Sequence, residues 1–391
     1  MKKPTPQASV ITTGLAMFSM FFGAGNVVFP LALGQAAETQ NHFAVIGFLI
    51  TAVGVPFMGL IAMTLFDGNY KRFFDRLGHW PGLIIAFIIM GLIGPFGALP
   101  RCIALSHASI SNIFPSLSLP VFSIISCLII FLFTYKPNNI IEILGKALTP
   151  FLLGALAIII IKGLVMAPPA PETDKHSLAV LVEGIKSGYQ TMDLLGAFFF
   201  CGVVLACLKS GSEPKNPEEH VNYKRIIILT LKASCIGAIL LGAIYVGFSY
   251  VASSYSLQIK GIPTELLLGT LSHEILGKYG AFVTAIAVAL ACLTTAIALA
   301  AVFAEYLHLE LSKQRLNYTP SLIITLIISF FISTLNFTGI ISFLAPILEV
   351  CYPALITLTL VNIGYKMIHF KPVKTPVYAV FFFTLLYTLL F

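Results

Sequence analysis

The run FFGAGNVVFP (residues 21–30) places Gly23, Gly25, Asn26 and Pro30 close together inside an otherwise apolar segment. Glycine leaves the backbone uncovered and proline removes an amide donor, so a helix entering this run is expected to open. Opening exposes amides on one side of the break and carbonyls on the other. Amides around Gly23 to Gly25 would begin a new helix and carry its positive dipole, which suits a carboxylate. The carbonyls just before them suit a cation, with hydroxyls from another helix completing its shell. Thr294 and Thr295, in LACLTTAIALAA (290–301), offer such hydroxyls. The plainer role for each is a bond to its own helix backbone. A second interruption is expected in GYQTMDLLGAFFFCGVV (188–204), where Thr191 and Asp193 precede Gly196 and a wall of phenylalanines.

The elements that carry these residues must lie in lipid. Of 391 residues, 58% are hydrophobic and 10% charged, with mean hydropathy +0.95. Soluble chains carry about 25% charged residues. Apolar runs long enough to cross a hydrocarbon core about 30 Å thick recur along the whole chain. They fall near 8–34, 43–66, 81–113, 117–135, 139–166, 188–208, 226–252, 279–308, 317–335, 338–363 and 375–391, making about 11 spans. The start, Met1-Lys2-Lys3 followed by apolar residues, mimics a secretory leader, but the run from Ser9 to Gly34 is long and contains Pro30, which favours a retained first span. All seven cysteines lie in or beside apolar runs without metal-ligand spacing and read as packing residues.

The net charge of +7 points to no nucleic acid, because the basic residues sit in short loops between spans. With the N-terminus inside, most of the 23 Lys and Arg fall in cytoplasmic segments, including Lys71–Arg72, Lys224–Arg225 and Lys366–Lys371–Lys374. The segments 167–187 and 253–278 are then external, with Thr264 to Leu276 reading as a short helix. Loop 211–225 is a solvated connector. The glycines of GLIGPFG (91–97) read as packing residues. Interrupted spans at corresponding places in two halves point to a transport site at the membrane midplane. Five spans per half is an odd number, so the halves enter from opposite faces as inverted repeats: 8–166 and 188–363, with 375–391 an additional helix, all one transmembrane domain.

GLAMFSMFFGAGNVVFPLALGQAAE (14–38) resembles the signature first span of the branched-chain amino acid:cation symporter (LIVCS) family. IGPFGALPR (93–101), ILGKALTP (143–150), GYQTMD (188–193) and LACLTTAIAL (290–299) are similar to its third, fifth, sixth and eighth spans. The resemblance implies an all-α, LeuT-type 5+5 fold with helices 1 and 6 broken, in a bacterial inner membrane. It implies import of leucine, isoleucine and valine, generally with Na⁺. Matched to the GxGN break of LeuT-type sodium symporters, the Ala24 and Gly25 amides hold the substrate carboxylate. The Ser19 and Phe22 carbonyls with the Thr294 and Thr295 hydroxyls form the sodium site, and Asn26 contacts a second ion. Ala197 to Phe200 line an apolar pocket, which separates side chains differing by one methylene by only about 1–3 kcal/mol.

Ionisable residues in spans are costly and functional by default. Asp193 has three candidate partners: the substrate amino group, a cation, or Arg101. Arg101, near the external end of its span, pairs with Asp193 as an outer gate or snorkels to the interface. Lys146 either places its ammonium where sodium would bind, converting coupling to H⁺, or reaches cytoplasmic water. The family commonly has twelve spans where this chain shows eleven, and Phe200-Cys201-Gly202 replaces an expected Phe-Gly, which unsettles the pocket register. An ion channel would need a selectivity-filter repeat, which is not found. SHEILG (272–277) lacks the second histidine of a zinc hydrolase helix, so no enzyme is expected. A sensor that binds amino acid without moving it is the remaining alternative, and no obligatory protein partner or cofactor beyond the coupling ion is implied.

Overall fold

The computed structural model describes residues 6–111, 113–135, 149–210 and 223–390. Among them the secondary structure is helical, with no strand. The outer face is strongly apolar: Leu132, Ile161, Ile239, Phe331 and Phe383 on five different helices are each more than 60% exposed. Such a surface is stable against hydrocarbon and not against water.

The first span is two half-helices, α1 (Pro6–Phe21) and α2 (Ala24–Ala37). At about 1.5 Å per residue each reaches ~20–25 Å, short of a bilayer core. Crossing requires both. The second span runs α3 (Asn41–Leu49), a π-helical turn (Ile50–Gly54) and α4 (Val55–Leu65). After the short α5 (Tyr70–Phe74), the third span divides into α6 (His79–Ile93) and α7 (Ala98–Ser111). GLIGPFG therefore interrupts a helix rather than serving packing alone. Pro95 has no N–H to continue the ladder, and the chain turns with Phe96 N donating to Gly91 O at 3.0 Å.

The remaining helices are α8 (Leu119–Thr134), α9 (Thr149–Val165), α10 (Ser177–Tyr189), α11 (Asp193–Ser210), α12 (Tyr223–Ser254), α13 (Leu267–Tyr306), α14 (Tyr318–Ser333), α15 (Asn336–Ile368) and α16 (Lys374–Leu390). Within α13 the backbone bends at Gly277 (φ 72°, ψ −167°), a conformation open essentially to glycine. The bend separates the expected short helix from the eighth span.

The sixth span begins at Ser177, not at 188. Its first half, α10, carries Glu183 and Lys186, which broke the apolar run, yet it packs tightly along α3. A Cβ on Gly184 would fall 2.2 Å from Ala44 O, and one on Gly188 2.0 Å from Thr51 Oγ1. The connection 167–187 thus holds most of a helix, Ser177–Tyr189.

The connections gather on two faces. On one, Lys71 pairs with Glu310 at 2.6 Å and the Arg76 guanidinium lies 3.6 Å from the Tyr365 ring centroid. On the other, Gln35 Nε2 donates to Ile259 O, Lys175 Nζ to Ala36 O, and Thr338 Oγ1 to Glu265. This grouping brings the basic segments 71–76 and 365–374 to one side. At the centre α2 packs on α12 and α7 along α13, which carries the two breaks to a common core.

Candidate functional site

Both breaks open into one cavity. At the first, Phe22 N still bonds Phe18 O, whereas Gly23 is extended (φ −117°, ψ −157°). The Gly23 amide donates to Asn26 Oδ1 at 3.1 Å, so Asn26 closes one of the orphan donors that begin α2. Among the described residues the amides of Ala24 and Gly25 donate to no backbone carbonyl outside α2, and that of Ala24 meets the Cys102 thiol. Space is tight at both glycines: a Cβ on Gly23 would meet Thr295 Cγ2 at 2.9 Å, and one on Gly25 would displace Arg101 Nη2, 2.6 Å away, and press on Gln190 O at 3.1 Å.

At the second break the chain leaves α10 through Gln190 and Thr191 and turns at Met192, whose φ is +65°. Thr191 Oγ1 donates to Gly188 O at 2.9 Å. Asp193 then starts α11, where the helix dipole favours its carboxylate. Tyr352 OH, from α15, accepts from the Leu194 amide at 3.3 Å.

Asn26 joins the two breaks. Its Nδ2 donates to Asp193 Oδ2 at 2.7 Å and to the Tyr245 hydroxyl, which in turn donates to Asp193 Oδ2 at 3.2 Å. The two amide hydrogens and the phenol proton are all used, and α2, α11 and α12 meet at one buried carboxylate. Arg101 is only 2% exposed and enters the same cavity from α7. It does not snorkel. Among the described residues no ion pair joins it to Asp193, whose Oδ2 accepts from Asn26 and Tyr245.

Opposite, the Thr295 hydroxyl lies 3.2 Å from Ser19 O and 3.1 Å from Phe22 O, within reach of either as a donor. Two carbonyls and a hydroxyl converge where α1 ends. A neutral, all-oxygen set of this kind fits a hard cation. Thr294 instead donates to Ala291 O of its own helix at 2.8 Å. Among the described residues no His, Cys, Asp and Glu cluster suits a transition metal.

The cavity is lined by Gly23, Ala24, Gly25, Asn26, Thr191, Asp193 and Thr295 on its polar side. Met20, Phe21, Ile93, Gly196, Phe200 and Leu299 form its apolar wall. Phe21 and Phe200 meet edge to face at 5.5 Å. Its volume of about 30 Å³ is room for water rather than for an amino acid, so the walls must part for a ligand to enter.

A family model described as "Branched-chain amino acid transport protein" matches residues 6–390. The chain belongs to that family. It is 32% identical to the branched-chain amino acid permease BrnQ of Bacillus subtilis, over 97% of this chain and 85% of that one. It is 29% identical to a putative branched-chain amino acid carrier protein of Staphylococcus saprophyticus, over 92% of this chain and 83% of the relative. Two solved structures share its fold, each with TM-score 0.62. Mhp1 in an inward-facing conformation is 13% identical and covers 91% of this chain and 77% of its own. MhsT in complex with L-phenylalanine is 14% identical and covers 96% and 98%. The fold is thus the LeuT type, and the family member is a transporter, not an enzyme.

For this transporter, the expected site residues separate into three groups. Gly23, Ala24, Gly25, Asn26, Thr191, Asp193, Phe200 and Thr295 share the cavity, with Ser19 and Phe22 bound to Thr295 beside it. Ala197 turns the other way: its Cβ lies 3.4 Å from the Cβ position of Gly59 on α4, and Gly196 lines the cavity instead. Lys146 lies outside the described residues. Tyr245 and Tyr352 escaped the sequence reading. Tyr352 is the single tyrosine of the run 338–363, whereas Tyr245 shares its run with Tyr250 and nothing local separates the two.

Proposed function

We propose that this carrier imports leucine, isoleucine and valine across a bacterial inner membrane, with its N-terminus cytoplasmic, by alternating access coupled to an inward Na⁺ gradient. The observation that carries the reading is the meeting of two helix breaks at one cavity, with open amides at Gly25 and converging carbonyls at Ser19 and Phe22. The carboxylate of the amino acid lies at the N-terminus of α2, where dipole and free N–H groups favour it. The aliphatic side chain lies among Met20, Phe21, Ile93 and Phe200. Sodium occupies the oxygens of Ser19, Phe22 and Thr295, where it replaces the hydrogen bond that the Thr295 hydroxyl otherwise makes. Binding at both places ties α1 and α2 to α11 and α13, so substrate and ion together favour the closed state. The division into repeats 8–166 and 188–363 extends, on the second side, to the α10 helix from Ser177. The names of the relatives support the substrate class.

The test is uptake of labelled leucine, isoleucine and valine into proteoliposomes under an inward Na⁺ gradient, an inward H⁺ gradient, or none. Concentrative uptake with Na⁺ alone is expected. Uptake with H⁺ alone would move coupling to another group, Lys146 first. Binding without uptake would make the protein a sensor, and uncoupled flux of ions a channel.

A further inference from the structure

Among the described residues Arg101 is the one cationic side chain lining the cavity, and two of its three guanidinium nitrogens have no hydrogen-bond partner. Nε and Nη1 are buried without any acceptor, and Nη2 lies against the face of Gly25. The Phe29 ring centroid lies 5.4 Å from the guanidinium carbon, a cation–π contact that supplies no hydrogen-bond acceptor oxygen. A buried guanidinium is strongly disfavoured without a charged or polar acceptor. Here it also abuts the N-terminus of α2, so two positive features face the same point. Asp193 acts on the guanidinium only through space: among the described residues no ion pair joins the two, and Asp193 Oδ2 is held by Asn26 and Tyr245.

We infer that Arg101 is a substrate-binding residue whose guanidinium takes the α-carboxylate of the amino acid together with the Gly25 amide, and is not one half of a gate with Asp193. This rests on the amino-acid carrier reading above. A carboxylate lying between the Gly25 N–H and the guanidinium fork accepts from Nη2 and from whichever of Nε or Nη1 lies beside it, a bidentate arrangement that a lysine cannot reproduce. The same geometry explains Gly25: a Cβ there would occupy the place of Nη2. Asp193, across the cavity, then faces the ammonium end of the zwitterion. The pocket selects for the α-amino-acid headgroup by charge at both ends, while its apolar wall stays permissive toward the side chain.

The experiment is equilibrium binding of labelled leucine to the purified full chain in detergent, with unlabelled leucine and leucinol as competitors. Leucinol keeps the side chain and ammonium but lacks the carboxylate. Arg101→Gln should weaken leucine by about 10- to 100-fold, the range for hydrogen bonds to a charged group. It should leave leucinol, measured as a direct ligand by calorimetry, unchanged, so the preference for leucine collapses. Arg101→Lys should fall between, and guards against a glutamine variant that fails to fold. Equal leucine affinity in the variants would overturn the inference, as would parallel loss of leucine and leucinol, which marks a purely structural arginine. Absence of leucine binding by the wild-type protein would remove the carrier reading itself, and this inference with it.

Discussion

The two broken helices solve the same problem by different means. The first break is made by absence of side chains: Gly23 and Gly25 let Thr295 and Arg101 approach the backbone to distances no Cβ allows. The second contains no glycine at its turn. Gln190, Thr191 and Met192 interrupt the helix through a left-handed Met192, and the new helix is then held by groups from elsewhere, Tyr352 on the Leu194 amide and Asn26 with Tyr245 on Asp193. One break is therefore set by space and stays open to ligand atoms. The other is set by hydrogen bonds and serves as its fixed counterpart. Damage to the first should appear mainly in transport and ion dependence, and damage to the hydrogen bonds that hold the second, Asp193 apart, mainly in stability.

The largest effect is expected at Gly25. Its Cβ position is 2.6 Å from Arg101 Nη2 and 3.1 Å from both Gln190 O and Thr191 Cα, so Gly25→Leu displaces the arginine and wedges the two breaks apart. A misplacement of about 1 Å in a positioned site costs roughly 100-fold, and uptake should fall by at least ~100-fold in protein that still elutes as a single species. Near-normal uptake would show that the first break is not where backbone meets substrate.

The contrast also explains what was legible in the amino-acid sequence. Glycine and proline spacing announces the first break locally, because the cause lies in the residues that break. The second was placed in the right neighbourhood only through Thr191 and Asp193, an acid and a hydroxyl in an apolar run. Its actual turn at Gln190–Met192 depends on partners that arrive from α12 and α15, far along the chain, and no local pattern encodes them. The same reason hid Tyr245 and Tyr352. Most of α10 falls in the external connection 167–187 of the sequence because Glu183 and Lys186 lower its hydropathy, although Lys186 pairs with Glu349 at 3.5 Å and Gly184 fits against α3. Pro95 could have revealed the interruption of the third span, since a proline ring removes a ladder bond wherever it stands. Most helix ends lie within a few residues of the apolar runs, because lipid imposes a minimum length on each.

Intermediate effects are expected at the ion-facing side of the first break. Thr295→Ala removes the hydroxyl that meets Ser19 O and Phe22 O and should raise the half-saturating Na⁺ concentration by about tenfold, the lower end for a lost contact to a charge. Relative rates for leucine and valine should stay as they were, since no apolar wall is touched. Thr295→Ser should restore most of the sodium response. Thr294→Ala should shift it less, because that hydroxyl is turned to Ala291 O. A sodium dependence equal to wild type in Thr295→Ala would take this cluster out of the coupling path.

The smallest effect belongs to the second break. Tyr352→Phe keeps the ring stacked on Tyr189, at 4.9 Å, and removes only the oxygen that accepts from the Leu194 amide. A neutral hydrogen bond of this kind contributes about 1 kcal/mol, so the variant should melt slightly earlier in detergent while its half-saturating sodium concentration stays at the wild-type value. If sodium dependence moved with stability intact, the second break would be part of the ion-responsive machinery. The division between a ligand-facing break and a fixed one would then give way to a single unit in which Tyr352, Asp193 and Asn26 transmit ion binding to both helices.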